Sequence, residues 1–568
     1  MSSNDLLLLH PPSVYDFREK SILYGPVSDL IPSSPVFEMY PLGFLTMTDY
    51  LEKRGLNVRI VNLALRMMRD PNFDVPAFLA KQNPKAIGID LHWLPHAHGS
   101  IEIARLVKEI HPDIPVIFGG LSSSYFHEEL IQYPCVDYVL RGNTTEPALY
   151  ELMKVILDGR SPENVPNLTW SAGGELQVNP FKYLPHNLDE SDLSPDRMMR
   201  MVLRHRDLRS VLPFDGWWKN PITAVFTAKG CAHQCVTCGS SKDAANLVVH
   251  CNKPIFRSPQ NLVKNMLDIS RFSKGPIFLV GDLQQGGDDY VAELMALLKE
   301  ANIKNEIVFE LFRMPPLSFL IEIDRSVQNW SLELSPESHD ESIRRVQDTS
   351  IAYTNHEMEE IIFAAQKLRC HRIDVFFMIG LPGQTPQSVD ETIHYCEHLF
   401  KISDERLSCF ISPMGPFLDP GSRAFENPEK FGYRMFAKTL EEHRELLVQP
   451  SWQYILNYET ETMTRAELTE ATYDAAENLN ALKLKYGRID AARGNDVAGR
   501  IRRARELKEH MDIYMETGEN NVNAREKLLG EVHDFSISTV CDKRELFWRR
   551  HALNFKLWGI ARALISEK

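Results

Sequence analysis

Residues 223–240 read TAVFTAKGCAHQCVTCGS: an apolar, β-branched run that ends at Gly230 and delivers Cys231, Cys235 and Cys238, with three and then two residues between the cysteines. A strand that runs into a short loop places its polar groups at the carboxyl end of a sheet, where α/β folds carry their ligands. Three thiolates so spaced can cap three irons of a cubane cluster, and a cluster held by three rather than four protein ligands keeps one iron open. A four-ligand zinc site completed by Cys251 or His250 is the competing reading, although the second Cys-x-x-Cys or His pair of such sites is missing.

Working outward, further strand signals follow at PIFLVGD (276–282), IVFELF (307–312), WSLELS (330–335), IDVFFMIG (373–380) and LSCFI (407–411), with helical stretches between them. Six βα units of this kind predict a partial (β/α)6 barrel of the TIM type over 220–418. Upstream, DLLLLH (5–10), NVRIVNL (57–63), KAIGIDL (85–91), PVIFGG (115–120) and VDYVLRG (136–142) alternate with the helical runs 42–55 and 101–111. That alternation predicts a separate Rossmann-like, flavodoxin-like α/β domain over 1–158. Residues 159–219, with turn chemistry and a short hairpin, read as a connector, and 419–568 as a mainly helical region, for example over 465–487.

The 568 residues are 43% hydrophobic and 25% charged, the balance of a globular protein of two or three domains. A net charge of −14 removes the broad basic field that nucleic acid binding uses, so no nucleic-acid partner is expected. The opening MSSNDLLLLHPP carries too short an apolar run for a secretory signal, and no window of about 18 apolar residues predicts a membrane span. With nine cysteines and no export signal, metal chemistry in the cytoplasm is expected rather than a disulfide framework. Cys135, Cys370, Cys396, Cys409 and Cys541 lack cluster spacing and are expected as buried thiols.

The CxxxCxxC loop opening a βα barrel resembles the radical S-adenosylmethionine (SAM) superfamily. The resemblance implies a [4Fe-4S] cluster on Cys231, Cys235 and Cys238, SAM bound to the remaining iron, and reductive cleavage of SAM to a 5′-deoxyadenosyl radical. Further stretches carry the same likeness. Gly239 follows the third cysteine, Gly281 and Asp282 end the second strand, and LSPES (334–338) resembles the family's fourth-strand segment, which implicates Glu337 and Ser338. MIGLPGQT (378–385) resembles the fifth-strand turn, which implicates Gly380, Leu381, Pro382 and Gly383 in SAM binding.

The N-terminal segment resembles the cobalamin (B12)-binding domain fused to many radical SAM proteins. The likeness implicates the His10-Pro11-Pro12-Ser13 loop, Gly119, Gly120, Gly142 and Glu146 in cobalamin binding. The family's acidic Gly-Glu-Gly-Glu turn is replaced here by Gly142-Asn143-Thr144-Thr145-Glu146, which keeps the second acid alone. Asp90-Leu91-His92 superficially resembles a cobalt-ligand motif but follows the third strand, so His92 is expected to pack rather than to ligate cobalt.

The resemblance implies a cobalamin-linked methyltransferase acting at a carbon centre. The alternative is a radical SAM oxidoreductase, cyclase or C–C bond-forming enzyme with cobalamin absent or in another role. A low-potential electron donor of flavodoxin or ferredoxin type and a small-molecule or lipid-like substrate are implied as partners. In the terminal stretch 541–568, Leu546, Leu553, Leu557, Ile560 and Leu564 recur at helical spacing among Arg549, Arg550, Lys556 and Arg562. Such a helix packs on its own protein or lies on a membrane surface.

Overall fold

The computed structural model describes residues 4–26, 34–348, 352–517, 528–533, 541–548 and 554–556. Five parallel strands, β1 (Leu6–His10), β2 (Val58–Asn62), β3 (Ala86–Asp90), β4 (Val116–Gly119) and β5 (Tyr138–Leu140), lie in the order β2-β1-β3-β4-β5. This is the flavodoxin-like order, whose ligand crevice opens where β1 and β3 diverge. Every residue of β1 is buried, as a strand covered on both faces requires. Leu7 and Leu9 join the core on one face of the sheet, and Leu6 and Leu8 a second core on the other. That period-two alternation sets the register, because a one-residue slip would exchange the two sets.

The hairpin expected in the connector belongs to this sheet. β6 (Leu168–Ala172) pairs antiparallel with β5, and β7 (Glu175–Val178) with β6, so the first sheet has seven strands. The rest of the connector carries the helix Pro195–His205, whose Met201 is buried in the second core of the N-terminal domain.

The second sheet begins with β8 (Thr223–Phe226). The chain then makes β9 (Ala228–Lys229), which pairs antiparallel with β10 (Ile255–Phe256) across the cysteine loop. β11 (Ile277–Val280), β12 (Ile307–Leu311), β13 (Trp330–Glu337), β14 (Cys370–Ile379) and β15 (Leu407–Pro413) follow. β8 and β11 to β15 form a six-stranded parallel sheet in sequence order, an open barrel as predicted. The register with β14 shifts between Leu334 and Glu337, and Glu337 takes a φ of +62°. Such an irregularity at a strand's carboxyl end re-aims the side chains that follow.

The helix Arg465–Lys485 starts on a Thr464–Glu467 capping box and lies against β15 and the helix Pro386–Ile402. The C-terminal region is not helical throughout. β16 (Tyr433–Met435) and β17 (Tyr458–Thr460) form an antiparallel pair that no strand pattern announced. At the start of the terminal stretch, Lys543–Leu546 is a 3₁₀ turn rather than an α-helix. Trp548 is buried with Phe214 and Ile222, and Phe555 stacks on Trp218 at 4.4 Å. The remainder of the expected amphipathic helix, at 549–553 and 557–568, lies outside the described residues. No helix among the described residues is long and apolar enough to cross a membrane.

Candidate functional site

Both sheets turn their carboxyl ends toward one cavity of about 830 Å³. Gly119 and Gly120 after β4, with Gly142 and Glu146 after β5, line its N-terminal side. Cys231, Cys238, Gly281 and Glu310 line the opposite side. The cavity therefore lies between the two domains, where a second group can face whatever the cysteines hold.

Gly230 leaves β9 at φ +81°, a left-handed turn that favours glycine and swings the chain into the cysteine loop. The three thiols are partly buried and free. The His233 N–H donates to Cys231 Sγ at 3.5 Å and the Ser240 N–H to Cys238 Sγ at 3.4 Å, contacts that favour thiolate sulfur. The Gln285 carboxamide oxygen accepts from the Ala232 N–H at 2.7 Å and lies 3.4 Å from Cys231 Sγ. Burial pushes all three thiols up, Cys238 to about 12, with Asp419 adding to the rise at Cys238 and Glu337 at Cys235. Among the described residues no cationic side chain is a leading influence on these thiols, so the ligand form of the loop depends on metal to displace the protons.

The three sulfurs do not gather within 4.8 Å of one another. A zinc ion with sulfur ligands at about 2.3 Å needs them that close. A cubane instead takes each thiolate at a separate iron corner. Cys251, offered by the sequence as a fourth zinc ligand, spends its thiol on the Lys253 carbonyl at 3.0 Å. The donor set therefore fits an iron-sulfur cluster better than a single ion.

Gly239 has a steric reason: a Cβ there would meet Asp419 Cβ at 2.6 Å, and its N–H donates to Asp419 Oδ2 at 3.1 Å. The other oxygen of Asp419 accepts from the Trp93 indole N–H at 3.2 Å, which ties the turn after β3 to the cysteine loop. Sequence reasoning missed Asp419, since a lone acid in a Asp-Pro-Gly-Ser turn reads as punctuation.

Gly281, at φ +98°, donates its N–H to Glu310 Oε2 at 2.8 Å. Burial lifts Glu310 to about 7 despite that bond. Glu310 was not anticipated either; an acid inside the otherwise apolar IVFELF strand was its available signal. Asp282 is buried, and its carboxylate accepts from the Gln284 and Phe312 N–H groups at 2.9 and 3.1 Å. Burial also lifts Glu337 to about 7, with Asp348 adding to the rise. Ser338 Oγ accepts from the Asp340 N–H at 3.1 Å.

At the Gly380-Leu381-Pro382-Gly383 turn, the first two N–H groups donate to the Gln384 carboxamide oxygen at 2.8 and 3.1 Å. Tyr433 donates to the Gly380 carbonyl at 2.8 Å. Asp282, Glu337, Ser338 and the 380–383 turn are not part of the lining of this cavity, whereas Gly281 is.

On the N-terminal side, Glu146 Oε1 accepts from the Thr46 hydroxyl at 2.6 Å, and its Oε2 is buried with no hydrogen-bond partner in the protein. Lys229 crosses from the cysteine-loop strand, donates to the Asn143 carbonyl at 2.8 Å and reaches Glu146 at 4.0 Å. The orphaned oxygen of Glu146, which lines the cavity, is left to pair with a large polar-edged cofactor, whereas Gly120 is required by the His92 backbone, 2.4 Å from where its Cβ would lie. The His10–Ser13 loop is buried away from the cavity: Ser13 Oγ donates to the Pro35 carbonyl at 3.1 Å, and His10 is 0% exposed against Asp90.

The family model described as the B12 binding domain matches residues 30–149, and that of the radical SAM superfamily matches 225–396. An uncharacterized methyltransferase of Pyrococcus horikoshii is 25% identical over 205 residues, 35% of this chain and 40% of that protein. The match thus spans well under half the length of that relative. Among solved structures, the radical SAM methyltransferase TsrM of Kitasatospora setae superposes at a TM-score of 0.58 and 16% identity, over 86% of this chain and 89% of that one. The cobalamin-dependent radical SAM enzyme OxsB superposes at 0.53 and 13% identity, over 95% and 76%. Those likenesses show the fold, and the two matched ranges overlap most of the two sheets that face the cavity. The chain therefore carries a B12-binding domain at 30–149 ahead of a radical SAM domain at 225–396.

Proposed function

We propose that the chain is a cobalamin-dependent radical SAM methyltransferase acting at a carbon centre of an apolar small molecule, with electrons from a low-potential flavodoxin- or ferredoxin-type donor. The observation that carries this reading is a cavity walled on one side by two of the three cluster-type thiols and on the other by the strand-end glycines of the B12-binding domain. Bound there, a [4Fe-4S] cluster supplies an electron for the reductive cleavage of SAM, and cobalamin supplies a methyl group for transfer. The residues that would hold the cluster are Cys231, Cys235 and Cys238, and those facing cobalamin are Gly119, Gly120, Gly142 and Glu146.

The chain's own residues bind, orient and exclude water. Gln285 and two backbone N–H groups aim the cysteine loop. Lys229 holds the 142–146 turn in place across the domain boundary. Glu310 holds a proton at its carboxyl near neutral pH while anchoring the Gly281 N–H. Met198, Met199, Trp217, Trp218 and Phe555 supply an apolar wall, which favours a substrate of low polarity and keeps solvent from the reaction.

The test is anaerobic preparation of the parent and of Cys235→Ala, with iron, sulfide and cobalt analysis and an assay of SAM cleavage. About four irons per chain and 5′-deoxyadenosine from the parent alone support the reading; zinc in the loop, or cleavage by the variant, refutes it. S-adenosylhomocysteine formed together with 5′-deoxyadenosine supports methyl transfer. Deoxyadenosine alone points instead to oxidation or cyclisation.

A further inference from the structure

Three histidines at the carboxyl ends of β1 and β3 take no part in the proposed reaction. His10 ends β1, and His92 and His96 lie in the turn that leaves β3. Each ring brings one nitrogen within 4.8 Å of the other two, and among the described residues no other group of histidine, cysteine or acidic side chains does so. The ring centroids stand 4.9, 5.0 and 6.1 Å apart.

How the rings are held is a second, independent observation. Nδ1 of His10 and Nδ1 of His92 face the Asp90 carboxylate at 3.1 and 2.6 Å, and Nδ1 of His96 faces the Pro11 carbonyl at 3.2 Å. Those oxygens can only accept, so each Nδ1 donates, and Nε2 is the ring nitrogen that turns to coordination, at His10 after giving up a backbone contact. A histidine that ligates a metal almost always gives its other ring N–H to a carboxylate or carbonyl, which fixes the tautomer and the ring orientation. All three rings already have that arrangement. At His10, Nε2 lies 3.0 Å from the Phe37 carbonyl, and an arriving ion exchanges this contact for a coordination bond.

We propose that His10, His92 and His96 form a site for one divalent transition-metal ion, with Asp90 as the shared carboxylate behind two of the rings. Three imidazoles suit zinc, copper, nickel or ferrous iron and not magnesium or calcium. The ion would fasten the turn after β1 to the turn after β3. Because Asp90 and His92 also line the cavity, it would stiffen one wall of it. The site is separate from the cysteine loop, and the inference does not rest on the proposed methyl transfer.

Zinc is the probe, used on the full chain with Cys231, Cys235 and Cys238 all changed to alanine so that the thiols cannot take it. Equilibrium dialysis is expected to find one zinc per chain. His96→Asn keeps a donor for the Pro11 carbonyl and removes Nε2, and His92→Ala removes a partly exposed ligand. Each is expected to weaken zinc binding at least about 100-fold, with circular dichroism unchanged. Should a variant not fold, zinc K-edge absorption on the histidine-intact chain decides: imidazole scattering supports the site, and an oxygen-only shell overturns it. Zinc uptake by both variants equal to that of the histidine-intact chain also overturns it. So does nitrogen hyperfine splitting on cob(II)alamin that vanishes in His92→Ala, since His92 would then belong to cobalt.

Discussion

Replacing Glu310 by glutamine removes a cavity-wall carboxyl that burial lifts from 4.5 to about 7. The folded chain holds this proton more tightly than the unfolded chain does. The cost to folding is therefore absent below about pH 4.5, grows as pH rises, and is complete above about pH 7. At about 1.36 kcal/mol per pH decade the rise is worth about 3 kcal/mol. That is a ceiling, because the group faces a cavity that solvent can enter. Glutamine keeps an oxygen to accept from the Gly281 N–H, so the local hydrogen bond survives. In a domain of roughly 200 residues each kcal/mol moves the thermal midpoint by about 2–4 °C. The variant should melt up to about 6–12 °C above the parent at pH 8, with the gap closing toward pH 4.5. The assay is a thermal scan of metal-free protein at matched pH values. A gap that is constant with pH, or that narrows as pH rises, refutes the assignment of a buried, proton-holding acid at this position.

Gly239→Ala forces a Cβ to within 2.6 Å of Asp419 Cβ and should cost about 1–3 kcal/mol and lower iron loading. Asp419→Gly in the same chain removes that Cβ and should restore most of the loading, and no recovery would mean that the clash is not the cause. Gly380→Ala combines a φ of +101° with a Cβ 2.7 Å from the Tyr458 hydroxyl, so a loss of about 1–3 kcal/mol is expected in a denaturant titration. Gly88→Ala adds a methyl at 2.7 Å from Leu8 Cδ2 on the cavity wall. It should weaken cobalamin binding in a visible-absorbance titration, and an unchanged affinity would count against cobalamin using that part of the cavity.

The parallel strands of both sheets were legible because each is a short, mainly apolar or alternating stretch bounded by glycine, proline or a polar turn. The cysteine loop was legible because its spacing has few other uses. The β16–β17 pair was not, since three-residue strands carry too little periodicity to stand out from helical surroundings. The hairpin at 168–178 was seen, but its docking on β5 depends on edge pairing between distant segments, which local patterning does not encode. Asp419 and Glu310 escaped for the same reason: each matters through a partner 180 and 29 residues away respectively. The start of the terminal stretch has helical apolar spacing and yet forms a 3₁₀ turn with buried Leu546 and Trp548, so tertiary packing overrides local preference there.

Trp93, Asp419 and Gly239 come from three remote stretches of chain, and the carboxylate between them works as an alignment pin. This pin and Lys229 hold the two halves together beside further ties such as Arg444 to Glu102 and Tyr125 to Glu426, so the offset does not rest on the length of the covalent link over 159–219 alone. Lengthening that link by a few exposed residues should leave the offset unchanged. Slippage of one half against the other would be felt first at the amide beside the third cysteine, which makes that amide the most direct reporter of domain alignment.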